Sequence, residues 1–123
     1  MTLPYYILLC EDDEGILEVV SIVLEGRGYE VKAMSQSDLV YEEVRRRKPD
    51  LLLLDLWMPK LSGEQISVTL KSHPDTKNIP IILFSANKDT GAIAKKVGAD
   101  NFLYKPFEIK DLEAMVGQYL PIS

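Results

Sequence analysis

Apolar positions along this chain fall into short unbroken runs that alternate with stretches where they recur every three or four residues. The first pattern marks strands buried on both faces, the second amphipathic helices lying against them. Tyr5 to Cys10 is the first predicted strand. Ile16, Val19, Val20, Val23 and Leu24 then share one helical face, and Gly26 and Gly28 end that helix. Tyr29 to Met34 predicts a second strand, more polar and so suited to an edge. Ser37 or Asp38 can cap a second helix carrying Leu39, Val40 and Val44 on its inner side. The basic run Arg45-Arg46-Arg47-Lys48 reads as the solvated last turn of that helix, where cations complement the dipole, and Pro49 stops it.

Leu51-Leu52-Leu53-Leu54 is the third strand, closed by Asp55 and halted at Met58-Pro59. A helix from Ser62 to Lys71, with Ile66 and Leu70 inward, breaks at His73-Pro74. Pro80 opens the fourth strand, Ile81 to Phe84, which ends at Ser85-Ala86. A helix over Thr90 to Val97 stops at Gly98. Asn101 to Tyr104 is the fifth strand, Lys105-Pro106 a turn, and the last helix places Ile109, Leu112, Val116, Tyr119 and Leu120 inward. Five strands alternating with five helices describe a doubly wound, flavodoxin-like α/β fold, a five-stranded parallel sheet with helices on both faces. Right-handed crossovers favour the strand order 2-1-3-4-5, with its switch point between strands one and three.

Composition narrows the function. With 123 residues the chain is one domain, 46% hydrophobic and 27% charged. A net charge of −5 argues against a nucleic-acid surface. The single cysteine, Cys10, excludes an intrachain disulfide, fits a reducing compartment and reads as a small buried hydrophobe. No run approaches a membrane span or a signal segment, so a soluble cytoplasmic protein is expected. The closeness of Met1 to the first strand is expected of a natural N-terminus.

Ligands in such sheets bind at the carboxyl ends of the strands. That is where an apolar strand delivers Asp55, and Glu11-Asp12-Asp13 ends the neighbouring strand. Carboxylates crowded there repel one another, and a hard divalent cation relieves the conflict. Helix-dipole chemistry alone accounts for Asp13 and Glu14 but leaves Asp55 unexplained. Ser85 and Lys105 reach the same edge, where a hydroxyl and an ammonium suit the charge on a transferring phosphoryl group. Attack by an Asp55 oxygen on phosphorus would give an aspartyl phosphate.

Taken together, these residues resemble the receiver domain of two-component response regulators. The resemblance rests on Ile7 to Asp13, Pro49-Asp50 through Asp55-Leu56-Trp57-Met58-Pro59 with Gly63, Pro80 through Ser85-Ala86, Gly98-Ala99-Asp100 and Lys105-Pro106-Phe107, and covers essentially the whole chain as one receiver domain with no output domain. It implies a phosphoacceptor protein rather than an enzyme, with Asp55 the acceptor. Mg2+ or Mn2+ would be held by Asp12, Asp55 and the Trp57 backbone carbonyl, with Glu11 acting through water. Lys105, Ser85 and the Ala86 amide would contact the phosphoryl group, and Ser85 and Phe102 would move as the switch. The implied partners are a histidine kinase or histidine phosphotransfer protein and a downstream protein reading helix 4, strand 5 and helix 5 through Ile93, Phe102 and Tyr104. That same face is the candidate surface for a dimer.

The chain departs from the commonest family pattern at three places. Glu11 stands where Asp is more frequent, and Gly15 weakens the first turn of helix one. Phe102 stands where Tyr is frequent and has no hydroxyl, so readout there must be steric. Trp57 is read two ways, as a shield of the phosphoryl group against water or as a residue that only covers the loop; Asn87 is the other position expected to affect hydrolysis. His73, the only histidine, reads as an exposed turn residue. An aspartyl phosphatase would need a second Asp where Trp57 stands, and a flavodoxin-like phosphate cradle would be repelled by the acids of the first loop. A receiver acting only as a binding module, never phosphorylated, is the remaining alternative.

Overall fold

In the computed structural model, which describes residues 4–122, the five parallel strands are ordered β2-β1-β3-β4-β5, as expected. They are β1 (Tyr6–Cys10), β2 (Glu30–Met34), β3 (Leu51–Asp55), β4 (Ile81–Ser85) and β5 (Asn101–Tyr104). The helices are α1 (Glu14–Gly26), α2 (Val40–Arg46), α3 (Gly63–Lys71), α4 (Thr90–Val97) and α5 (Ile109–Tyr119). Every residue of β1, β3 and β4 is buried, which is why those segments carry unbroken apolar runs. Strand β2, at the edge, is largely exposed and reads polar.

Alternation along the strands divides the core into two layers. On one face Leu8, Leu52, Leu54, Ile81 and Leu83 meet Val40, Val44, Ile66, Leu70, Ala94 and Val97 from α2, α3 and α4. On the other, Ile7, Leu9, Leu53, Ile82 and Phe84 meet Val20 and Leu24 of α1 with Leu112 and Val116 of α5. Local chemistry sets the helix ends. Ser62 and Gln65 form a reciprocal capping box at the start of α3. Gly98 ends α4 in the left-handed region, at φ 79°.

The edge of the sheet opposite the carboxyl ends is tied by two groups. The Lys71 ammonium donates to the carbonyls of Lys77 and Ile79 and to Asp100, at 3.1, 2.8 and 2.8 Å. Asp50 accepts from the amide of Tyr6 at 2.7 Å, joining the starts of β1 and β3.

Four local expectations are corrected. Ser37 and Asp38 do not cap α2: residues Ser37–Leu39 form a 3-10 turn, and α2 begins after Leu39 without a side-chain cap. Ser37 is buried instead, donating to the carbonyl of Pro59 at 2.5 Å and accepting from the amide of Leu61 at 3.0 Å. Ile109, expected to be buried, and Leu39 and Val19, expected on the apolar faces of their helices, are exposed. Each lies at the rim of its helix's apolar stripe, where an angular period alone does not separate core from surface.

Candidate functional site

Strand order and register assemble the site. Cys10 pairs with Leu54, so Glu11 and Asp55 emerge side by side from β1 and β3. Ser85 pairs with Tyr104, and the amide of Lys105 donates to the carbonyl of Ser85 at 2.9 Å. Four strand ends thus bring Glu11, Asp12, Asp55, Ser85 and Lys105 to one edge. Carboxylate oxygens of Glu11, Asp12 and Asp55 lie within 4.8 Å of one another, the separation a single cation can bridge.

Lys105 is the counter-charge. Its ammonium bonds Glu11 Oε1 at 2.5 Å and Asp55 Oδ1 at 3.2 Å. It does not pair with the other two acids of the first loop. Asp12 is exposed, and Asp13 accepts from the amide of Ile16 at 3.1 Å as the cap of α1. The dipole explanation therefore holds for Asp13.

The pair with Lys105 leaves the site electrostatically unfinished. Glu11 is fully buried, and its second oxygen, Oε2, has no hydrogen-bond partner among the described residues. A buried carboxylate oxygen without a donor is costly, and a cation or a cation-bound water would satisfy it. Burial, followed by the hydrogen bond with Glu11, pushes the Asp55 carboxyl up to about 6. Asp12 is raised by desolvation and by its hydrogen bond to Asp55. Burial pulls Lys105 down, but the hydrogen bond to Glu11 and the Asp55 charge outweigh it and raise its pKa. Cys10 lies beneath the cluster, its thiol donating to the Met58 sulfur at 3.5 Å. Burial and the charges of Glu11 and Asp55 push it up to about 12, so it is an uncharged hydrophobe.

The loop from β3 to α3 folds back over the acceptor edge. A Cβ at Gly63 would lie 2.6 Å from the backbone oxygen of Asp55, so only glycine allows the approach. Ser37 props the same loop from β2's side. Trp57 projects from it, 56% exposed. On the opposite wall, Ser85 is buried and accepts from the amide of Asn87 at 3.0 Å. Asn87 in turn accepts from the amide of Asp89 at 2.8 Å, and Thr90 donates to the Asn87 carbonyl. Ala86 is exposed at the start of this β4–α4 loop. Phe102 lies in β5 on the α4 side and forms an edge-to-face pair with Tyr104, centroids 5.2 Å apart. His73 is exposed at the far end of α3, its ring bonded to the carbonyl of Thr69 at 2.8 Å.

Sequence reasoning placed Glu11, Asp12, Asp55, Ser85 and Lys105 at one edge, and the structure brings them there. It overlooked the support given by Ser37 and the crowding at Gly63. The only available signal for Gly63 was its place in the family motif. None existed for Ser37, whose partners are backbone atoms more than twenty residues away.

The model of the response regulator receiver domain matches residues 7–117. The DNA-binding response regulator MtrA of Mycobacterium tuberculosis is 32% identical over 117 residues, covering 94% of this chain and 50% of its own. The chain thus spans about half the length of the curated relatives it matches. The signal receiver domain of a signal transduction histidine kinase from Syntrophus aciditrophicus superposes with a TM-score of 0.87 at 28% identity, covering 94% of this chain and 89% of its own. The receiver domain of a sensor histidine kinase from Pseudomonas aeruginosa, with magnesium in its active-site cleft, superposes at 0.86 and 24% identity, covering 97% and 99%.

Proposed function

The chain belongs to the response regulator receiver domain family, and on that premise we propose that it is a phosphorylation switch with Asp55 as acceptor. The donor is a phosphohistidine on a histidine kinase or histidine phosphotransfer protein, or a small phosphoryl compound. An oxygen of ionised Asp55 attacks phosphorus, the bond from phosphorus to the donor imidazole breaks, and the electron pair leaves with the imidazole nitrogen. An acyl phosphate remains on Asp55.

The observation that carries this reading is the meeting of Asp55, two further acids and one ammonium at the carboxyl edge, with a buried oxygen of Glu11 left unsatisfied. With its pKa at about 6, Asp55 is mostly ionised at neutral pH and able to attack. Lys105, already 3.2 Å from Asp55, is in reach of the oxygens that arrive with phosphorus. The Ser85 hydroxyl and the Ala86 amide are the donors assigned to the facing wall. Mg2+ or Mn2+ would be held by Asp12, Asp55 and the Trp57 carbonyl, with Glu11 acting through water. When bound, the cation would offset the clustered negative charge and draw charge from the phosphoryl oxygens.

In this reading Ser85 turns toward the new phosphoryl group and gives up its contact with the Asn87 amide, and Phe102 follows. The face made by α4, β5 and α5 shifts between two populations that a downstream protein, or a second copy, distinguishes. Cytoplasmic residence, where Cys10 stays reduced, belongs to the same reading.

Trp57 supplies the test. Its fluorescence is titrated with magnesium and then with beryllofluoride or acetyl phosphate, in parallel with Asp55→Asn. Two successive saturable changes, both absent in the variant, are expected. No response to either reagent, together with no mass increase at Asp55, would sink the acceptor reading.

A further inference from the structure

We infer that Tyr104, rather than the aromatic residue at 102, is the positioning residue that tethers the β4–α4 loop. The inference rests on the acceptor reading above. Phe102 makes a purely apolar seat: its ring lies so close to Gly91 that a Cβ there would come within 3.0 Å of Phe102 Cζ. It has no polar atom with which to hold the loop. Tyr104 is two residues further along β5, on the same face of the strand. Its ring meets Phe102 edge to face, and its hydroxyl donates to the carbonyl of Lys88 at 3.3 Å.

Its place on the strand gives this contact leverage. Tyr104 lies opposite Ser85 in the β4–β5 register and immediately precedes Lys105. Lys88 belongs to the loop that begins with Ala86 and whose Asn87 amide binds Ser85 Oγ. One phenol therefore connects β5 to the segment that presents the Ser85 hydroxyl and the Ala86 amide. The loop arrangement in which Ser85 serves Asn87 is also the one in which Lys88 receives Tyr104. When Ser85 turns away to a phosphoryl group, the loop moves and the tether must be released. Tyr104 thus favours the arrangement seen here, and removing its hydroxyl shifts the population toward the alternative. A ring without the hydroxyl keeps the contact with Phe102, so the substitution Tyr104→Phe isolates the tether.

The experiment titrates beryllofluoride into magnesium-saturated wild type and Tyr104→Phe, read by Trp57 fluorescence, with melting temperatures measured on the same samples. The variant is expected to bind about threefold more tightly, the worth of one modest exposed hydrogen bond, with its melting temperature lowered by no more than about 3 °C. Equal or weaker binding by the variant, or tighter binding accompanied by a large loss of melting temperature, overturns the tether. Failure of the wild type to bind beryllofluoride would overturn the acceptor reading and the tether with it.

Discussion

Replacing Asp55 by Asn should stabilise the protein when no divalent cation is present, and the gain should depend on pH. The Asp55 carboxyl is moved from 3.8 to about 6 by burial and by Glu11. This is the reverse of the usual case for an aspartate. Between these values the folded protein holds a proton that the unfolded chain has released, so stability falls as pH rises from about 4 to about 6 and is flat above. Taking 1.36 kcal/mol per pKa unit, the full penalty at neutral pH is on the order of 3 kcal/mol. Asparagine keeps the shape and carries no charge, so it removes most of that penalty while also losing the contact with Lys105. A net gain of about 1–3 kcal/mol at pH 7.5 follows, and at roughly 4 °C per kcal/mol for a domain of this size it appears as several degrees of melting temperature. By pH 4.5 the linkage leaves only about a third of the effect. The assay is thermal or urea unfolding of both proteins in chelator across pH 4.5 to 8, plotted as a difference so that other titrating groups cancel. An Asn variant less stable than wild type at pH 7.5, or a difference that does not shrink on acidification, would refute the reasoning. Either outcome would mean that Lys105 already relieves the cluster.

Lys105→Met should cost about 3 kcal/mol in urea unfolding, because it leaves fully buried Glu11 without a cation. Gly63→Ala should lower stability by about 1–3 kcal/mol, since the new Cβ meets the Asp55 carbonyl at 2.6 Å and must displace backbone; an unchanged urea midpoint would show that the loop yields freely. Trp57→Asn should speed loss of phosphate from phosphorylated protein, measured as release of inorganic phosphate. An unchanged rate would remove the shielding role and leave Trp57 as a cover on the loop.

Much of this fold could be read from the chain because its central strands are buried on both faces. Leu51 to Leu54 and Ile81 to Phe84 cannot be amphipathic helix at that length and continuity, and parallel strands of that kind determine where the site must lie. The acids and Lys105 could be read for the same reason, since each closes a strand or lies within two residues of its end. What escaped were relations through backbone and through empty space. Ser37 carries the signature of a cap, yet its oxygen is taken by Pro59 and Leu61, a pairing that no local pattern encodes. Leu39, Val19 and Ile109 obey helical spacing but sit at the rim, where the depth of the neighbouring layer decides burial. The division of labour among the first-loop acids was equally invisible. Whether an acid caps α1, faces water or binds Lys105 depends on angles that three adjacent carboxylates do not reveal.

The unbroken burial of β3 has a consequence before the protein is folded. Leu51 to Leu54 is then an uncharged apolar run, the sort of segment that stacks with copies of itself when chains meet unfolded. Asp50 and Asp55, both acidic side chains, stand at its two ends. Flanking charges of this kind discourage stacking. The carboxylate that strains the finished domain therefore guards the nascent one, and a protein relieved of it would gain stability while losing protection on the ribosome and during refolding.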